Sequence, residues 1–260
     1  MREFKEKFIN YADSFLVGDD AEDQMIIVKR DHCLAVAELT LELVKSVSES
    51  AEDLRSAEIA GLLHDVGRFK QYRQYRTFSD AKSENHAALS VKITEELEFL
   101  AFLPEQEREL ILNAILWHNL PKLPEIQVLR QQVLAQAVRD ADKIDIYSVV
   151  LDYYERPELH ETVALDLPDK PEVSSDVVAA LIARQGVSMT SLQTVNDFKL
   201  CQLAWVYDLN LPRSRQIFVE RNYMERMFKL IPDFPEFSNI CQQLNDHLTG
   251  ENLNDSKRRK

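Results

Sequence analysis

The sequence predicts an all-α protein, a helical bundle with additional C-terminal helices packed on it. Three observations carry that expectation. Glycine occurs five times in 260 residues, well below the roughly 7% of average proteins. Apolar residues recur at three- and four-residue spacing instead of alternating. The nine prolines fall mostly between those periodic stretches, where a ring without an N–H interrupts a helix.

Taken in order, the first long helix is expected over 21 to 49, where Val28, His32, Val36, Leu39 and Leu43 repeat as an inward stripe. A second, over 51 to 66, lines up Ala57, Ala60, Gly61 and His64 on a small-residue face that lets another backbone approach. Its end is read at Gly67 in a left-handed C′ position. A loop over 67 to 82 follows, and Ser83 is expected to cap a third helix with His86, Leu89, Ile93 and Leu97 on one face. Pro104 suits the first turn of a fourth, which ends at His118 with Ile111 and Ala114 on the same side. A fifth, about 126 to 154, carries Ala135, Val138, Asp142, Ile146 and Val149 on one stripe.

Residues 156 to 175 read as a Pro-punctuated connection. Helical segments are expected from 175 to 186, 191 to 208, 212 to 230 and 235 to 249. The division expected is a core over 1–155 and a C-terminal helical extension over 156–260, packed as one compact unit. His160, His247 and the basic end SKRRK read as surface features.

Charge and cysteine usage exclude several functions. A formal charge of −13 repels a phosphate backbone and argues against nonspecific nucleic-acid binding. Cys33, Cys201 and Cys241 form no CxxC pair, so a disulfide framework is not indicated and a reducing cytoplasm is the natural compartment. The longest apolar run, VVAALIA, is too short to span a bilayer, so no membrane role is expected. Phosphate loops, dinucleotide fingerprints and nucleophile elbows are lacking, and HETVA has no second His for a zinc-protease helix.

Four of the six histidines, with Asp65 and Asp142, fall on inward faces or helix ends of five successive helices. One buried His is ordinarily satisfied by a core hydrogen bond. Burying this many polar groups together is costly unless a common partner satisfies them, and metal ions would do so. The segment from Gly67 to Ser83 adds Arg68, Lys70, Arg73, Arg76 and Lys82 against Asp80 alone, and reads as a substrate-facing loop. Arg68 is its expected phosphate clamp, since guanidinium binds two oxygens at once. Tyr72, Tyr75 and Phe78 read as anchors of that loop. Arg76, Lys82, Asn85 and Lys143 are further candidate substrate-binding residues, and Asn119 and Asp145 candidate supports.

The order His32, His64-Asp65, His86, His118, Asp142, with LLHDVGR around the doublet and the later DADKID, resembles the HD superfamily of metal-dependent phosphohydrolases in its six-ligand, two-metal form. That resemblance covers about residues 20 to 155. It implies one ion held by His32, His64, Asp65 and Asp142, and a second held by His86, His118 and the bridging Asp65. Asp142 is preferred over Asp140 and Asp145 by analogy with the family's final aspartate. The resemblance further implies two divalent transition-metal ions (Fe, Mn, Ni or Zn) and hydrolysis of a small phosphorylated substrate, plausibly a nucleotide, by a hydroxide bridging the metals. Alternatives are a mixed-valent di-iron HD oxygenase and a non-catalytic nucleotide-sensing module.

Overall fold

The computed structural model describes residues 1–156 and 167–250. His160 and the basic SKRRK end lie outside them. Among the described residues there are helices and no strands, as the helical spacing of apolar residues predicts. No helix among them is long and apolar enough to cross a membrane. The chain divides into two compact units, Met1–Asp145 and Ile146–Lys260.

The first unit opens with α1 (Arg2–Asp13), a helix ahead of the first one expected from sequence. Phe4, Phe8 and Ala12, four residues apart, are its buried face. Phe8 meets Phe69 edge-on with ring centroids 5.8 Å apart. Each such buried aromatic contributes about 1.5–3 kcal/mol. The turn to α2 (Asp20–Lys45) is tied by Asp23, whose carboxylate accepts from the backbone N–H of Val17 and Gly18 at 2.9 and 2.8 Å.

Helix α3 (Ala51–Leu63) packs closely on α2, and Gly61 is the reason it can. A Cβ there would stand 2.7 Å from Thr40 Oγ1 and 2.8 Å from Ala37 Cα. The expected small-residue face is therefore where the two backbones approach. His32, Val36, Leu39 and Leu43 are buried as the stripe requires, but Val28 is 39% exposed, because α2 begins before the core does.

After α3 the structure departs from the expected loop. Residues 67 to 75 form α4 (Gly67–Tyr75), leaving only 76 to 85, with a short 3₁₀ turn at Asp80–Lys82, outside regular helix. Gly67 is not left-handed; the glycines with positive φ are Gly18 and Gly250. It is the first residue of α4, and a Cβ on it would lie 2.7 Å from Ser90 N and 2.9 Å from His86 O. Glycine serves here to let α5 (His86–Glu96) come against the chain. The cap of α5 is Asn85, whose side chain accepts from Ala88 N–H, rather than Ser83. Leu97, at the end of that helix, is exposed.

Helix α6 (Glu105–Trp117) follows Pro104 and packs on α3 and α5. Helix α7 (Leu129–Glu155) supplies its first part to this unit. Ala135 and Val138 of the expected stripe are fully buried, but further along the buried face rotates to Ala141, Ile144, Tyr147 and Leu151, leaving Asp142 at its edge and Val149 40% exposed.

The second unit contains the rest of α7 and α8 (Ser175–Ile182), α9 (Val195–Ala204), α10 (Pro212–Glu220), α11 (Tyr223–Phe228) and α12 (Phe237–Thr249). Thr194 and Asp197 close a capping box on α9, Pro212 opens α10, and Gly250 ends α12 at φ +76°. Its core gathers Tyr147, Phe218 and Tyr223. His247 is partly buried with its ring 5.2 Å from that of Tyr207, not a surface residue as expected.

Candidate metal centre

Five helices of the first unit deliver the six predicted ligand residues to one place. His32 projects from α2. His64 ends α3, and Asp65 sits in the turn between α3 and α4, where Arg68 N–H donates to its backbone carbonyl at 2.9 Å. His86 is the first residue of α5, His118 caps the end of α6, and Asp142 lies on α7. All four imidazoles and Asp65 are buried, with His64 at 0% and Asp65 at 2% exposure.

The rings are oriented by their outer nitrogens. His64 Nδ1 lies 2.7 Å from Gly61 O, and His118 Nδ1 lies 2.6 Å from Ile115 O. A carbonyl oxygen accepts only, so both rings must carry their proton on Nδ1. His32 Nδ1 stands 2.6 Å from Asp145 Oδ2 and His86 Nδ1 stands 2.7 Å from Asp80 Oδ2, which favours the same arrangement. The four Nε2 atoms are left to face inward, and they face one another. His32 and His64 approach to 3.2 Å, and His86 and His118 to 3.0 Å, between these atoms.

Two lone pairs at that distance repel unless a proton or a cation lies between them. Burial and the neighbouring charges of His64 and His86 push His118 down to about 3, so at neutral pH its ring is uncharged. A cation shared by the facing nitrogens would satisfy the lone pairs of both couples.

The carboxylates complete two groups of donors. Asp142 Oδ1 lies 3.2 Å from His32 Nε2 and 3.6 Å from His64 Nε2. Asp65 Oδ2 lies 3.8 Å from His32 Nε2 and 3.6 Å from His64 Nε2. Its other oxygen, Oδ1, is 3.5 Å from His86 Nε2 and 3.8 Å from His118 Nε2. That oxygen is buried and accepts no hydrogen bond. Donors about 2.1 Å from a shared ion stand roughly 3.0–3.4 Å from each other, close to these spacings. Among the described residues, His32, His64 and Asp142, and His64, Asp65 and His118, form groups whose donor atoms could hold a metal ion. Burial works against ionisation of Asp65 but is outweighed by Lys29 and Arg68, which hold the Asp65 carboxyl well below the usual range. The acid is ionised, as a ligand must be.

Supporting residues were partly legible in sequence. Asp145 takes the outer nitrogen of His32. Asn119 Nδ2 reaches Asp80 at 3.5 Å. Asp80 itself was counted only as an acid among bases, yet it orients His86; the His86 contact and nearby Gln71 and Arg68 overcome its partial burial and bring it down to about 2. Lys29 was missed. Its Nζ lies 2.7 Å from Asp65 Oδ2, and the signal was its place one turn before His32 on the same helix.

The basic segment does not form a free cationic loop. Arg73 donates to Phe15 O and pairs with Glu22 and Asp23, each at 2.7 Å. Arg76, a candidate substrate residue, pairs with Glu22 at 2.6 Å. Arg68 is spread over Gln71 at 2.8 Å, Asp80 at 3.1 Å, the Phe78 carbonyl and Asp65 Oδ1 at 3.3 Å. Asn85 caps α5, Lys143 Nζ lies 3.5 Å from Arg139 O, and Lys82 is exposed. Tyr72 stacks on Phe78 at 5.0 Å, an anchoring contact.

Residues 30–147 match the family model of the HD domain, a stretch that contains all six residues. Comparison with curated proteins finds no match, and comparison with solved structures finds none.

Proposed function

From an HD domain at residues 30–147, a family of generally metal-dependent phosphohydrolases, we propose that the protein hydrolyses a phosphate ester of a small molecule, with nucleotides as the substrate class. The observation that carries this reading is the convergence of four imidazole Nε2 atoms on the two oxygens of Asp65. The formal charge of −13 supports a small substrate over a polyanionic chain. Free thiols at Cys33, Cys201 and Cys241 suit the cytoplasmic setting that goes with it.

In this reading His32, His64, Asp142 and Asp65 would hold one divalent transition-metal ion, and His86, His118 and Asp65 another. When bound, such a pair supplies Lewis acidity to the phosphoryl oxygens and makes water a stronger nucleophile at neutral pH. The protein's own contribution is to fix the donors. Gly61 O and Ile115 O hold His64 and His118 as Nδ1–H tautomers, while Asp145 and Asp80 aim His32 and His86. Arg68 stands against Asp65 and ties the following turn to it through Asp80 and the Phe78 carbonyl. In this reading its role is positioning.

The test is a metal-loaded preparation screened anaerobically against mono- and diesters, nucleotides included. Phosphate or nucleotide release that is abolished in Asp65→Ala together with metal binding supports the reading. Full activity in that variant, or a product that appears only with O₂ and iron, contradicts it.

A further inference from the structure

Lys29 is the cation at the centre that sequence patterning did not single out. It lies three residues before His32 on α2, so both side chains leave the same face. Its side chain is 18% exposed, against 3% for Asp65, which places it between the buried donors and solvent. The ammonium lies 2.7 Å from Asp65 Oδ2 and 5.8 Å from the centre of the Phe78 ring. Of its three N–H bonds, the structure commits one, to Asp65.

Oδ2 is also the oxygen facing His32 and His64. A dication taken up there competes with the ammonium for the same lone pairs and repels it. The flexible four-carbon stem lets Lys29 turn toward solvent while staying beside the site. Arg68, by contrast, is fixed by Asp65, Asp80, Gln71 and the Phe78 carbonyl. Arg73 and Arg76 are paired with acids of α2.

We propose that Lys29 binds the phosphoryl oxygens of the substrate at the mouth of the metal-loaded centre, the role that sequence patterning assigned to Arg68. This rests on the phosphohydrolase reading for its substrate, but not for its ligand chemistry: the ammonium donates to any tetrahedral oxyanion next to the metals.

The probe is inorganic phosphate, titrated calorimetrically into the Mn²⁺-loaded full chain. Lys29→Met keeps the stem and removes the charge. It is expected to retain the metal stoichiometry of the wild type and to weaken phosphate binding by about ten- to a hundredfold, the loss expected for one charge-assisted hydrogen bond. Lys29→Arg is expected to recover part of that affinity. Phosphate binding within twofold of wild type in Lys29→Met, loss of metal in that variant, or no phosphate binding by the loaded wild type overturns the proposal. If phosphate binds through Lys29 but no phosphate ester is cleaved, the phosphohydrolase reading fails and this one stands. If esters are cleaved with unchanged KM in Lys29→Met, the reverse holds.

Discussion

The carboxylate of Asp145 stands 2.6 Å from Nδ1 of His32, and the contact aims the opposite ring nitrogen at His64 and Asp142. Removing it leaves the imidazole free to rotate and to change tautomer. Asp145→Asn is therefore expected to weaken binding of the first metal by about 10- to 100-fold without unfolding the protein. Competition titration with a chromogenic chelator measures this; unchanged affinity would make Asp145 an incidental partner.

Asp80 does for His86 what Asp145 does for His32, at 2.7 Å, from a short 3₁₀ turn instead of a long helix. Asp80→Asn should lower affinity for the second metal by a similar factor of about 10–100 and leave the first nearly unaffected. A two-step binding isotherm in which only one step moves would bear this out. Loss of both steps together would mean that the two positions are not separable.

Alanine ordinarily favours a helix over glycine by about 1 kcal/mol. At Gly67 the sign should reverse, because the added Cβ meets the backbone of α5 at 2.7 Å from Ser90 N. Gly67→Ala is expected to destabilise by about 1–3 kcal/mol, the usual cost of overpacking. Gly186→Ala, where nothing lies within 4 Å, should be near neutral. Denaturant midpoints of the metal-free proteins compare the two directly.

Away from the candidate metal centre, Arg130 bridges Asp53 and Glu107, with a 2.8 Å bond to the latter, and Ser56 donates to Glu107 at 2.9 Å. Arg130 is the main reason Glu107 titrates below its ordinary value. Burial of Asp53 is outweighed by Ser48 and Arg130, so it titrates low as well. Both groups are depressed in the folded state. Their contribution is fully present above the unfolded carboxylate values of about 4, and is lost as pH falls through the folded ones. Arg130→Met should cost about 1–3 kcal/mol at neutral pH, a difference that shrinks in acid below about pH 4. A pH-independent difference would point to lost packing instead of lost charge.

Much of the fold was legible because helical periodicity survives in single segments. The stripe at Ile111, Ala114 and His118 and the small face at Gly61 are features of one helix and its spacing, and both are buried as expected. What one segment cannot contain is the identity of its neighbour. Gly67 reads as a helix stop when the approach of α5 is unknown, and Arg68, Arg73 and Arg76 read as free when Glu22, Asp23 and Asp80 are not yet beside them. The rotation of α7 that exposes Val149 has the same origin, since it depends on what packs against that helix. At the centre, histidines on inward faces were recognisable by register. Asp80, Asp145 and Lys29 act through distance, and Lys29 reaches Asp65 across 36 residues of chain.

Asp65 turns one oxygen toward His32 and His64 and the other toward His86 and His118, and in the proposed reading it would join two metal sites. Anomalous scattering from crystals grown with Mn²⁺ would locate the ions. Two peaks are expected to flank the Asp65 carboxylate, one among His32, His64 and Asp142 and the other between His86 and His118, both gone in Asp65→Ala. A single peak that leaves Asp65 Oδ1 without a metal, or two peaks that survive the substitution, would contradict that reading.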